Sequence, residues 1–97
     1  MISFNENRKA GEAAKPVLRV HKSALKHGLT EEDICHAFRM AIAVRARRGD
    51  SSCIAAAGPD CSGRAVELLA MELHDGSLLV FHAMGLARKM AHELDLG

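Results

Sequence analysis

Apolar and polar positions along this chain of 97 residues change period several times, and the changes mark its elements. Residues 1–15 mix both charges with Gly11 and few large apolar groups, so they lack the material to bury anything and read as a flexible arm. Residues 16–97 are then a single domain. Val17, Leu18 and Val20 follow Pro16, which cannot donate a ladder hydrogen bond and suits the first position of a strand. His21–His27 reads as one or two helical turns ended by Gly28, where a left-handed cap is needed. Thr30 then precedes Glu31, Glu32 and Asp33: a hydroxyl able to cap a helix, with three carboxylates at the positive end of its dipole. Leu29 and Ile34 form a hydrophobic staple, and Ile34, Ala37, Phe38, Ala41 and Ile42 fall on one helical face. The spacing predicts a helix to about Val44, before the basic run Arg45, Arg47, Arg48 and Gly49, which starts a strand or leads into one.

From Ser51 the pattern shortens. Ser52–Ala57 is an apolar run closed by the turn signals Gly58-Pro59-Asp60 and Ser62-Gly63. Ala65–Leu73 and Ser77–Met84 are strand-length runs around His74-Asp75-Gly76, and Asp-Gly favours a two-residue hairpin turn. That turn pairs His74 with Ser77, Leu69 with His82 and Glu67 with Met84. One face then carries Glu67, Leu69, Met71 and Leu73 with Leu78, Val80, His82 and Met84. Leu86, Met90 and Leu94 recur every four residues and predict a short final helix.

Composition narrows the function classes. No apolar run approaches the roughly 18 residues of a membrane span, and Met1–Lys15 is unlike a basic-then-apolar secretory leader, so a cytoplasmic location is expected. Cys35, Cys53 and Cys61 are odd in number with no CxxC pair, which indicates neither a disulfide framework nor a zinc ribbon. With three Phe and no Trp or Tyr, base stacking is a poor mode of nucleic-acid binding. The net charge of +1 hides an asymmetry: residues 1–48 hold 10 Lys/Arg against 5 Asp/Glu, and residues 49–97 hold 3 against 7. A polyanion-binding surface leaves such a split, as does a solvated basic surface.

Glu67 and His82 become diagonal neighbours near the open end of the hairpin, where a carboxylate and an imidazole can share general acid and base work. A satisfied histidine at a sheet edge beside a solvated glutamate leaves the same spacing. Arg88 and Lys89 open the final helix and Arg64 precedes the strand bearing Glu67, so a chain reversal can bring all three to that face. Lys22, Lys26 and His27 surround the short helix before Gly28 and can supply phosphate contacts, although cations beside a helix C-terminus are favourable for dipole reasons alone. The six His show no HxxxH or HxH spacing, and Gly-rich phosphate loops and GxSxG elbows are absent, so neither a metal nor a cofactor is expected.

Lys26-His27-Gly28-Leu29-Thr30-Glu31-Glu32 resembles the KHG-V-[ST]-x-E-E element near the start of the BrnT-type toxins of bacterial toxin–antitoxin modules. Gly58-Pro59-Asp60, Gly63-Arg64, Glu67, Asp75-Gly76, His82-Ala83-Met84 and Arg88-Lys89 are similar to a short BrnT-related group with G-x-D-x-x-G-x-x-x-E followed by H-A-M-x-x-R-[KR]. This chain has one residue more between Met84 and the basic pair, and the likeness spans about residues 17–92. The resemblance implies an α+β fold of the RelE/BrnT type: a compact antiparallel sheet of about three to four strands, two N-terminal helices and a short C-terminal helix. It also implies a type II toxin, a metal-independent endoribonuclease of the mRNA-interferase kind blocked by a cognate antitoxin. Glu67, His82, Arg88 and Lys89 would be its catalytic set, and Lys22, Lys26, His27 and Arg64 its RNA contacts. A homodimer and a toxin–antitoxin heterotetramer are both open, and a non-catalytic RNA- or protein-binding module is the rival function.

Overall fold

The computed structural model describes residues 16–47 and 49–97; the expected arm over 1–15 lies outside the described residues. The chain runs β1 (Leu18–Val20), a 3-10 turn (Lys22–Leu25), α1 (Glu31–Arg39), β2 (Ala43–Arg47), β3 (Asp50–Pro59), β4 (Ala65–Glu72), β5 (Leu78–Gly85) and α2 (Arg88–Glu93). The strands form one sheet in the order β1-β5-β4-β3-β2, with β1 parallel to β5 and the other pairs antiparallel. This overturns the expected antiparallel sheet of three to four strands under two N-terminal helices. The sheet has five strands and is mixed, and one α-helix and a single 3-10 turn stand between β1 and β2.

Two local events cause the difference. The first is at the edge, where the 17–20 segment finds its partner far along the chain: Leu18 lies opposite Leu78 and Val20 opposite Val80. Leu78 N–H donates to Val17 O and His21 N–H to Val80 O, each at 2.9 Å. The second is the end of α1. Thr30 caps the helix as expected, its hydroxyl accepting the Asp33 N–H at 3.0 Å while the Asp33 carboxylate accepts the Thr30 N–H. The other end stops at Arg39, short of Val44, because α1 lies directly on Gly58 of β3. A Cβ on Gly58 would collide with the Ala37 carbonyl and sit 3.0 Å from Cα of Ala41. With Ala41 already against the sheet, Ile42 N–H donates to Ala57 O at 2.8 Å and the chain continues as β2. Ile42 is consequently 68% exposed and not part of a buried helical face.

The β4–β5 hairpin differs from its expected form in an instructive way. Its loop holds His74, Asp75 and Gly76, one residue more than the expected two, with Leu73 N–H donating to Ser77 O and Gly76 at φ 86°. Asp75 Oδ1 holds the turn by accepting from the amide and the hydroxyl of Ser77. Near the turn the register is therefore shifted by one, Glu72 facing Leu78 and Ala70 facing Val80. A β-bulge at Phe81 then restores the expected pairs, Leu69 with His82 and Glu67 with Met84. One consequence is that Leu78 and Val80 lie on the opposite face from the one expected, buried with Val66, Leu68 and Ala70.

Each face of the sheet has its own core. Ala24, Leu29, Ile34 and Ala37 cover the face carrying Ala56, Leu68 and Val80. Met90 of α2 and Leu94 just after it cover Ala55 and Ala57 on the other, with Leu69 and Leu86 alongside. No described helix is long and apolar enough to cross a membrane.

Candidate acid–base site

Three buried polar side chains stand out among the described residues: Asp60, Glu67 and Ser77. Asp60 and Ser77 belong to turns. Asp60 Oδ1 accepts from Ser62 N–H, the Ser62 hydroxyl and Arg64 N–H, and the Arg64 amide above all holds its carboxyl below the ordinary 3.8. Glu67 belongs to no turn. It sits mid-sheet on β4 at 5% exposure, on the face that α2 covers, and both its oxygens are engaged. Oε2 lies 2.9 Å from His82 Nε2, and Oε1 accepts the Ala87 N–H at 3.0 Å. Ala87 is the N-cap of α2 and has no side-chain cap of its own, so Glu67 supplies the acceptor that the helix start needs.

An ionised carboxylate only accepts hydrogen bonds, so the Glu67 contact requires the proton of the neutral His82 ring to be on Nε2. Nδ1 is then the nitrogen with a free lone pair. The His82 side chain remains 25% exposed, and the His27 ring meets it edge-on, centroids 5.9 Å apart at an interplanar angle of 75°. The bulge explains this meeting. It sets His82 on the Glu67 face, and the carbonyl of its extra residue, Phe81, accepts the Ser23 hydroxyl at 2.6 Å. Ser23 lies in the 3-10 turn whose following loop, closed by Gly28 at φ 91°, bears His27.

Of the eight residues expected to act, the fold brings together Glu67, His82 and His27, with Lys26 exposed next to His27. Lys89 is drawn elsewhere. It lines a surface pocket of about 800 Å³ with Arg45, Ala46, Arg47, His92, Glu93 and Asp95, and neither Glu67 nor His82 is among the lining residues. Arg88 is exposed at the start of α2, Lys22 is exposed in the 3-10 turn, and Arg64 is committed to Asp60, its Nε 3.4 Å from Oδ2. Arg45 and Arg47 had no expected role, yet they fasten α2 to the β2 edge. Arg47 meets Glu93 through two nitrogens at 2.9 and 2.8 Å, and Arg45 meets Asp95 at 2.9 Å. No local spacing could have found them, since their partners lie at the other end of the chain. Burial pushes the Cys53 thiol up, which keeps it neutral and unsuited to nucleophilic work.

What this face defines chemically is an imidazole oriented by a buried carboxylate, with a second imidazole beside it and no thiolate. Comparisons of the chain with protein-family models, with curated proteins and with solved structures each return no match.

Proposed function

We propose that the chain is the toxin of a type II toxin–antitoxin module, a metal-independent endoribonuclease of the BrnT-like kind that works in the cytoplasm and is neutralised by a cognate antitoxin. The observation that carries this reading is the 2.9 Å bond between His82 and a Glu67 carboxylate that is itself tied to a helix amide. Cleavage of RNA without a metal needs a base for the ribose 2′-hydroxyl and an acid for the leaving 5′-oxygen. A partly exposed imidazole whose ring is oriented by a buried carboxylate is suited to such proton transfer. DNA lacks the 2′-hydroxyl and is not a substrate on this chemistry. Lys22, Lys26 and Arg88 are exposed cations available to a phosphate backbone, and the scarcity of aromatics points to phosphate and 2′-hydroxyl contacts over base stacking.

A second reading, a non-catalytic module that binds RNA or a protein, is favoured by one observation: Lys89 and His92 line a pocket with Arg45 and Arg47, and neither Glu67 nor His82 lines it. Induced expression separates the two. The wild-type chain is expected to arrest growth and to cleave single-stranded RNA in the presence of a chelator while sparing DNA of the same sequence. His82→Ala is expected to lower cleavage by about 10²- to 10⁴-fold, the usual worth of a general acid or base, and to relieve the arrest. A wild-type chain that binds RNA without cutting it makes the binding module the better account.

A further inference from the structure

The ribonuclease reading leaves one half of the chemistry unassigned. Resemblance paired Glu67 with His82 as acid and base, but Glu67 is buried and both its oxygens are spent, one on His82 and one on the Ala87 amide. A substrate hydroxyl or leaving oxygen has no route to a carboxylate so enclosed. Among the described residues, the ionisable side chains in direct contact with His82 are Glu67 from β4 and His27 from the loop after the 3-10 turn. Lys26 adjoins His27 in that loop, and Lys89 lines the pocket against β2 instead.

We propose that His27 is the second catalytic residue, acting as the general acid opposite His82 as the base, and that Glu67 is a positioning residue that acts through His82. The proposal rests on the ribonuclease reading and names the acid within it. Its ground is the exposed His27 ring held 5.9 Å from His82. Centroids that close put the two rings in edge-on contact, so a phosphodiester group lying over their exposed edges is within reach of both imidazoles. The holding is structural, since Ser23 is tied to the Phe81 carbonyl next to His82 and the following turn closes with Gly28 N–H donating to Leu25 O. In the reaction, neutral His82 takes the 2′-hydroxyl proton at Nδ1 and the 2′-oxygen bonds to phosphorus. The bond from phosphorus to the 5′-oxygen breaks with its electron pair, and the His27 imidazolium gives that oxygen its proton. A 2′,3′-cyclic phosphate and a 5′-hydroxyl result, with His82 left protonated and His27 neutral. The proton count is conserved.

An acid is needed only when the leaving group is poor, and this gives the test. The full chain is assayed on the dinucleotide UpA, whose alkoxide must be protonated, and on a uridine 3′-phosphate nitrophenyl ester, whose phenolate leaves unaided. His27→Ala is expected to lower kcat on UpA by about 10²- to 10⁴-fold and on the aryl ester by only a few-fold. His82→Ala is expected to fail on both esters. Glu67→Gln is expected to lower kcat on both with KM little changed. Equal losses of His27→Ala on the two esters overturn the acid assignment while leaving the ribonuclease reading intact. Wild-type activity in Glu67→Gln overturns the positioning role. A wild-type chain inert toward both esters sinks the ribonuclease reading and this assignment with it.

Discussion

The two faces of the sheet are covered by helices that are held in different ways. On one face α1 packs by close approach: Ile34 and Ala37 are fully buried, and Gly58 lets the helix backbone rest on β3. Its polar fastenings are few: the Thr30–Asp33 capping box, the Cys61 N–H that Asp33 accepts at 3.0 Å, and His36 Nδ1, which donates to the Pro59 carbonyl at 2.8 Å. On the other face the six-residue α2 and its C-cap bury Met90 and Leu94, and the rest of the attachment is polar: Glu67 at the helix start, Arg47 at its last residue and Arg45 on Asp95 just beyond. A face closed partly by hydrogen bonds can keep a charged carboxylate beside an accessible imidazole, which is where the candidate chemistry lies.

That contrast can be broken by substitution. The largest effect is expected on the packed face, where Ile34→Ala should cost about 2–5 kcal/mol in a denaturant titration by leaving a cavity under α1. Glu67→Ala should cost less, about 1–3 kcal/mol, because it orphans the Ala87 amide and the His82 Nε2–H without emptying a core. Hydrogen exchange should then show lost protection over 88–94 with α1 unchanged; equal loosening of both helices would mean that the faces form one cooperative unit. The smallest effect is expected from Asp33→Asn. The amide of Cys61, and after it that of Thr30, hold the Asp33 carboxyl below its ordinary 3.8. Such a group stabilises the fold above that ordinary value, and the contribution is lost as pH falls through its lower folded value. With Asp33→Asn the stability curve should therefore become shallower below about pH 4, read from denaturant midpoints across the acid range. An unaltered acid limb would remove Asp33 from the account of how α1 is fastened.

Local chemistry made much of the outline legible. Thr30 and Asp33 are three residues apart, and their reciprocal capping needs nothing from the rest of the chain. The Asp75-Gly76 turn and the alternation on either side of it brought Glu67 and His82 to one face, although the loop is longer than expected. The error cancelled because the bulge at Phe81 restored the shift before His82 was reached, and no pattern in the sequence announces that bulge. Arg45 and Arg47 could be seen only as a basic run, since their partners lie on α2 at the other end of the chain.

The residues alone decided what depends on neighbours within a few positions: where α1 begins, where the β4–β5 hairpin turns, and which side chains of β4 share a face. Hydrogen bonds over three or four residues and the two-residue period of a strand suffice for these. Tertiary structure decided that β1 joins β5 in parallel, that α1 yields to β2 at Ala41, that Lys89 leaves the acid–base pair, and that Glu67 holds a helix amide as well as His82. Each of these is a contest between partners distant in the chain, settled by which contacts close together in space. The period of a segment records which face it buries and carries no trace of what will cover that face.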